Sequence, residues 1–432
     1  MNTPGNSSAG GEDATKQPES PGPAQKIPDS VVTLGWVSFF TDLASEMIYP
    51  LIPLFVVQTL GASPALLGVI DGVAEGVGSG LRWLGGAWSD RIGKRKPFVL
   101  AGYSVSALSK PFMGAAAAIF GWPLFMTGRC LDRVGKSLRT GARDALIADS
   151  TALPQRGAAF GLHRAMDTAG AVSGPLLGWA ILYFLPKINL GWIFVIALVP
   201  GLASAALVAA AVRETPVARD QGRPPNIFQR FPPAFWVLLI VMGVFALANS
   251  SDTFLLLRAH ELGLGTRQVI LAFAVYNMVY ALCAMPAGSL SDRVGRRPVI
   301  AAGWFIYAAV YAGFGLAGAG WLPWMLLAGY GLYQSMAEGV GKALVSDIVP
   351  PQQRAGAIGL IYTVAGFGQL VGSVVAGATW SLTVPGTELR MPFAIDSALA
   401  AVAGLLLLLI GCEHARLLQV RARIDGRSHV TE

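Results

Sequence analysis

The sequence predicts an all-α membrane protein whose twelve transmembrane helices form two pseudo-symmetric six-helix bundles, and three observations carry that expectation. Of 432 residues, 53% are hydrophobic and only 13% charged, against about 25% charged in soluble domains. Apolar runs of about 20 residues, the length that crosses a bilayer, recur twelve times between short loops rich in Gly, Pro and charge. The loop Gly86-Ala-Trp-Ser-Asp90-Arg91-Ile-Gly93-Lys-Arg95 returns as Gly288-Ser-Leu-Ser-Asp292-Arg293-Val-Gly295-Arg-Arg297, each time between two apolar runs. A second repeat follows in the same order: Gln155-Arg156 with Gly161, Gly170 and Gly174 matches Gln353-Arg354 with Gly359, Gly368 and Gly372. A chain duplicated in this way predicts parallel halves.

Taken in order, residues 1–30 are rich in Gly, Ser, Pro and charge and lack the basic start and apolar core of a signal peptide. They predict a disordered cytosolic tail. The N-terminal bundle covers 31–212, with spans near 31–59, 64–88, 98–120, 122–148, 158–184 and 190–212. Residues 213–233 are too polar and proline-rich to be embedded and predict a cytosolic linker. The C-terminal bundle covers 234–413, with spans near 234–260, 266–290, 298–318, 321–348, 357–382 and 391–412, and residues 414–432 form a basic cytosolic tail. Lys94, Arg95, Lys96, Arg156, Arg213, Arg293, Arg296, Arg297 and Arg354 fall on one side of these spans, whereas the other side offers chiefly Lys187, Arg267 and Arg390. Positive charge collects on the cytoplasmic side, so both termini are expected there.

Composition excludes several function classes. The net charge of +7 is explained by loop placement, so no nucleic acid is expected as a partner. Cys130, Cys283 and Cys412 share no zinc or redox spacing, and His163, His260, His414 and His429 are scattered, so no metal site is expected. Hydrolase and Walker motifs are lacking, and neither an enzyme nor an ATP-driven pump is expected.

Ionisable groups inside the membrane are costly and mark functional positions. Asp42 and Glu46 share one face of span one, and Asp71 and Glu75 repeat that spacing on span two. Arg129, Asp132, Arg133, Lys136 and Arg143 make a mostly cationic stripe on span four. Such a stripe needs carboxylates or an anionic ligand.

The repeated loop, G-x-x-x-D-R-x-G-[RK]-[RK], resembles the cytoplasmic signature of the major facilitator superfamily. The resemblance implies a conformational latch of Gly86, Asp90, Arg91, Gly93, Asp292, Arg293 and Gly295 that steadies the outward-facing state. Span five, with Gly161, Gly170, Gly174, Pro175 and Gly178 behind Arg164 and Asp167, resembles the antiporter signature of drug and metabolite exporters, with Trp179 where that signature has another glycine. The branch resembled is the bacterial twelve-helix group that exchanges drugs or metabolites for protons. In the family fold, spans one, four, seven and ten line a central cavity. That placement implies a coupling site of Asp42, Glu46, Arg129, Asp132, Arg133, Lys136, Asp252, Arg258, Glu338 and Lys342. The family pattern R-x-x-Q-G-x-G on span four is met by Arg129 and Gly135, with Asp132 and Arg133 in place of Gln and Gly.

The expected function is proton-coupled efflux of a small polar or ionised compound by alternating access, in the bacterial inner membrane. The proton gradient is the energy source, no cofactor is needed, and the working unit is a monomer in the lipid bilayer. Two other readings stay open at this point: symport or uniport uptake of an anionic metabolite, and a non-transporting receptor or scaffold on the same fold.

Overall fold

The structure, a computed structural model, describes residues 27–152, 155–214, 231–318, 320–350 and 353–427, and for 83–87, 90, 91, 355 and 411–427 it describes the backbone alone. In lipid every backbone N–H and C=O must be satisfied within the segment, and the apolar runs accordingly become helices. They are α1 Asp29–Ile48, α2 Pro64–Ile92, α3 Lys96–Ala115, α4 Trp122–Asp149, α5 Arg156–Phe184 and α6 Leu190–Ala211 in the first half. The second half holds α7 Pro233–Glu261, α8 Thr266–Val294, α9 Arg296–Leu316, α10 Leu322–Ile348, α11 Arg354–Ala378 and α12 Met391–Arg427. Helix α12 runs on through residues 414–427, where the sequence suggested only a tail. The expected tail 1–30 and linker 213–233 fall largely outside the described residues.

Among the described residues, seven of these helices contain an 18-residue stretch apolar enough to be recognised as a span by length and composition. The other five, α2, α3, α4, α5 and α10, carry more of the intramembrane charges, while α1 holds Asp42 and Glu46, α7 Asp252 and Arg258, and α12 Asp396. Three helices depart from regular geometry, α6 only briefly, at Ala197 between Leu190–Ile196 and Leu198–Ala211. Beyond Ile48, α1 continues through a 3-10 turn, Tyr49–Leu51, and a π turn, Phe55–Thr59, because Pro50 and Pro53 have no N–H to donate. Helix α7 breaks between Ala248 and Thr253, where the run Asn249-Ser250-Ser251-Asp252 offers side chains that compete with the backbone.

In the first bundle α1 packs on α5 and α6, and α4 on α2 and α3; in the second α10 packs on α8 and α9, and α7 on α11 and α12. Without a hydrophobic drive between helices, close approach depends on small residues. A Cβ on Gly102 or on Gly135 would meet the other's carbonyl oxygen at 2.6 Å, so α3 and α4 cross there in backbone contact. The duplication is visible in the packing. Gly170 and Gly174 seat α5 on the backbone of α1, and their counterparts Gly368 and Gly372 seat α11 on α7 beside its break.

The bundles meet along α2 with α11 and α5 with α8. The start of α1, the end of α12 and the repeated basic loops lie on one face, the terminal face; the loops 60–63, 262–265 and 379–390 lie on the opposite one.

Candidate functional site

Helices α2 and α4 run in the same direction, so the i,i+4 carboxylates of one meet the i,i+4 arginines of the other. Arg129 Nη2 lies 2.8 Å from Asp71 Oδ1, and Arg133 Nη2 lies 2.9 Å from Glu75 Oε1. One turn further on, Ser137 Oγ donates to the carbonyl of Gly78 at 2.6 Å. Two of the four cations of the α4 stripe are thus neutralised by α2, and Arg143 pairs instead with Asp144 of α4 itself at 2.8 Å. Asp132, on another face of α4, turns to α3, where Ser106 Oγ donates to it at 2.6 Å and the buried Lys110 Nζ sits 3.5 Å away. Lys110 did not stand out in the sequence, because it is a single cation in an apolar run.

Asp42 and Glu46 on α1 take neither arginine. Asp42 lies beside Asp167 of α5, its carboxyl within hydrogen-bonding reach of that neighbour, so one proton between the two is the simplest way to hold them together. Lys136 is exposed in mid-helix near both Asp42 and Glu46. Asp167 also receives Arg164 Nη1 at 3.2 Å, and Arg164 crosses to the other bundle, donating to Tyr280 and lying 3.5 Å from Glu338 Oε2. Lys342 Nζ holds the other oxygen of Glu338 at 3.2 Å. Asp42, Glu46, Lys136, Glu338 and Lys342 therefore surround one central space, with Asp167 and Arg164 at its edge.

Asp252 lies at the α7 break, where Tyr330 Oη donates to it at 2.6 Å. Arg258 stands apart, near the opposite face. It pairs with Glu261 at 3.3 Å and donates to the carbonyls of Phe314 and Ala317, closing off the C-terminal carbonyls of α9.

Toward the opposite face the space is sealed. Ser251 Oγ and Thr253 Oγ1 donate to Asp71 Oδ2 at 3.0 and 2.8 Å, which ties the α7 break to the first bundle. Tyr49 stacks on Phe273 with ring centroids 5.3 Å apart, a further bridge between bundles. Here Asp71 and Arg129 side chains are 1% and 4% exposed, whereas Arg164 and Lys342, nearer the terminal face, are 51% and 45% exposed. The conformation is open toward the terminal face. A cavity of about 180 Å³ reaches into the second bundle there, lined by Trp304, Tyr333, Gln334, Glu338, Lys342 and Tyr362. Asn249 lines it too, with a buried Oδ1 that has no hydrogen-bond partner.

The repeated loops tie neighbouring helices together. Gly93 and Gly295 turn with φ of +69° and +97°, a region favouring glycine. Asp292 pairs with Arg296, whose Nε reaches Asp347 of α10 at 3.4 Å, while Arg293 is exposed. In the first half Arg95 Nε bonds Asp149 of α4 at 2.8 Å, so both loops fasten to the end of the fourth helix of their own bundle. Beyond their helical backbone, Gly86, Asp90 and Arg91 lie outside the described residues.

The glycines of α5 divide in two. A Cβ on Gly174 would meet Leu43 O and Met47 N at 2.9 Å, and one on Gly178 would meet Met47 O at 2.9 Å, whereas one on Gly161 meets nothing within 4 Å. Pro175 is buried between them. Gly174→Val should lower stability by about 1–3 kcal/mol through overpacking, read as a fall in the melting midpoint of purified protein. Gly161→Ala should leave that midpoint unchanged or slightly higher. Equal midpoints for both variants would contradict this packing.

Among the described residues no group of three or more His, Cys, Asp or Glu side chains is placed to hold a metal ion.

Comparison with known proteins agrees with this architecture. The profile of the Major Facilitator Superfamily matches residues 34–265 and 238–432. An uncharacterized MFS-type transporter of Methanocaldococcus jannaschii is 33% identical over 394 residues, covering 89% of this chain and 96% of that protein. The multidrug resistance protein MdtH of Sodalis glossinidius is 34% identical over 138 residues, about a third of either chain (32% and 33%). Among solved structures, the nucleoside transporter NupG superposes with a TM-score of 0.69 at 14% identity, covering 89% of this chain and 99% of that one.

Proposed function

The chain belongs to the major facilitator superfamily, and on that premise we propose that it is a proton-driven exporter, moving a small polar or ionised compound out of a bacterial cell by alternating access. The observation that carries the proposal is the contrast among buried charges in the first bundle. Arg129 and Arg133 are matched by Asp71 and Glu75, whereas Asp42 and Asp167 face each other beside the open space. Two adjoining carboxyls next to Lys136 form a group that takes up one proton and gives it back when a charged substrate arrives. Glu46, one turn along, extends it.

In this reading residues 31–212 and 234–413 are the two rocking bundles, joined by 213–233. Basic residues crowd the terminal face, so the positive-inside bias places both termini in the cytoplasm and makes this conformation inward-open. The compound enters at the cavity beside Glu338 and Lys342. Closing the terminal face around the Arg164 bridge to Tyr280 and Glu338 then exposes it to the outside. A monomer contains the whole site, and the proton gradient is its energy source. The likeness to MdtH, a multidrug resistance protein, over a third of the chain also favours export. Uptake of an anion finds less support once the three arginines of the α4 stripe are paired within their own bundle, and a scaffold has no use for costly intramembrane charge.

The test is accumulation of fluorescent and radiolabelled compound pools in cells expressing the protein. Expression should lower accumulation of one class of compound, and a protonophore should restore it. Accumulation raised by expression would indicate uptake and contradict the proposal.

A further inference from the structure

The break in α7 faces two ways. Ser251 and Thr253 reach across to Asp71, but the preceding residue, Ser250, turns into its own bundle and donates to Asp396 Oδ2 of α12 at 2.5 Å. Asp396 is 3% exposed. The groups facing it are hydroxyls. From α7 there is Ser250; from α9, Tyr307, which donates to Ala248 O at 2.6 Å, and Tyr311, whose buried hydroxyl lies beside Tyr307 and Ser250. Behind them on α10 lie Tyr330 and Tyr333, and Tyr330 is committed to Asp252. Ser397 of α12 donates to Ala308 O, and among the described residues no titratable or charged side chain of α11 bonds to Asp396. No Arg, Lys or His among the described residues pairs with it either.

An intramembrane carboxylate without a cation is costly, by several kcal/mol on any scale, so the site calls for a positive occupant. One hydroxyl donor and aromatic walls leave too few oxygens for a metal ion, whereas a proton needs one carboxyl oxygen and an acceptor. The buried hydroxyl of Tyr311, beside Ser250 and Tyr307, would serve as that acceptor. The route in is short, because Asn249, next to Ser250, lines the cavity that opens to the terminal face.

We propose that Asp396 is a second proton-binding site, separate from the Asp42–Asp167 pair, and that its occupancy controls closure at the opposite face through the α7 break. Charged, Asp396 holds Ser250 by a charge-assisted hydrogen bond, roughly twice as strong as a neutral one. With a proton from cavity water on its free oxygen, that hold relaxes and the carboxyl O–H turns to Tyr311. Ser250 is joined directly to Ser251, so the loosened break frees the donors that Asp71 holds. The control of closure rests on the alternating-access reading above; the proton site does not.

The test uses the full chain in lipid nanodiscs, with protons as the probe. Infrared difference spectra between mildly acidic and mildly alkaline buffer should contain a protonated-carboxyl band that Asp396→Asn removes. Ser250→Ala, which keeps the carboxyl, should retain that band and move it to higher wavenumber as the hydrogen bond to the carbonyl is lost. A difference spectrum unchanged by both substitutions would overturn the site. A band that answers to exchange of sodium for choline instead of pH would replace it with a metal-cation site. Closure is read from Ala259→Cys, buried near the opposite face, with the native cysteines replaced by Ser and an impermeant maleimide as probe. Labelling should rise at acidic pH in the parent and be independent of pH with Asp396→Asn added. Loss of the infrared band with labelling still following pH would overturn the link to closure. Labelling that never occurs, even when Ser251 and Thr253 are replaced, would count against alternating access and leave the proton site standing.

Discussion

Arg129→Met should destabilise the protein by about 3–5 kcal/mol, the cost of leaving one member of a buried ion pair uncompensated. Asp71 would keep its charge at 1% side-chain exposure, with Ser251 and Thr253 as its remaining donors. Asp71→Asn should cost a comparable amount by stranding Arg129. The double variant Asp71→Asn, Arg129→Met should recover a large part of either loss, because it removes both charges together. The control is Arg296→Met, since its partners Asp292 and Asp347 have side chains 63% and 57% exposed and pairs so exposed contribute little to stability. Melting midpoints and monodisperse yield of the three variants and the control decide the matter. A loss for Arg129→Met no greater than for Arg296→Met would contradict the ladder between α2 and α4.

Replacing both inter-bundle donors, Ser251→Ala with Thr253→Val, should open the opposite face. Hydrogen bonds to a charged group contribute about 1.5–3 kcal/mol each. Losing two removes enough to shift a balanced equilibrium between conformations by at least about a hundredfold. The α2–α4 ion pair survives in this variant, so the fold should persist while the seal is lost. Spin labels at Thr59→Cys and Arg267→Cys, both exposed on the opposite face and in different bundles, report the change. The expected result is a second, longer distance in the double variant. A distribution identical to the parent's would show that the Tyr49–Phe273 stack, and not the α7 break, holds that face closed.

Most of the fold was legible in the sequence because lipid removes alternatives. Apolar runs bounded by Gly, Pro and charge can only be helices there, and the repeat from Gly86 to Arg297 shows that there are two halves. The site was harder to read. Asp71 and Glu75 share the i,i+4 spacing of Arg129 and Arg133, and parallel helices with that register form a ladder; the sequence contained the match, but not which helix α4 would face. Family position placed Asp42 and Glu46 opposite the stripe, and the structure gives Arg129 and Arg133 to α2 instead. Arg258 sits on the same span as Asp252, yet the break in α7 separates them, and Arg258 ends on the carbonyls of α9. The break had a local signal, four polar residues in an apolar run. Lys110 and Asp396 had none, because a lone charge in an apolar helix shows neither its depth nor its partner until the neighbouring helices are placed.

Proton coupling through the Asp42–Asp167 pair is the central claim, and inverted membrane vesicles with an acidified lumen test it most directly. Compound pools are added outside, and lumenal pH is followed with a dye. The account predicts that one class of compound releases protons from the lumen while it accumulates inside. It also predicts that Asp42→Asn with Glu46→Gln abolishes both signals while the protein stays folded and still binds the compound. Accumulation driven by the pH gradient at parental rate in that double variant would contradict the claim.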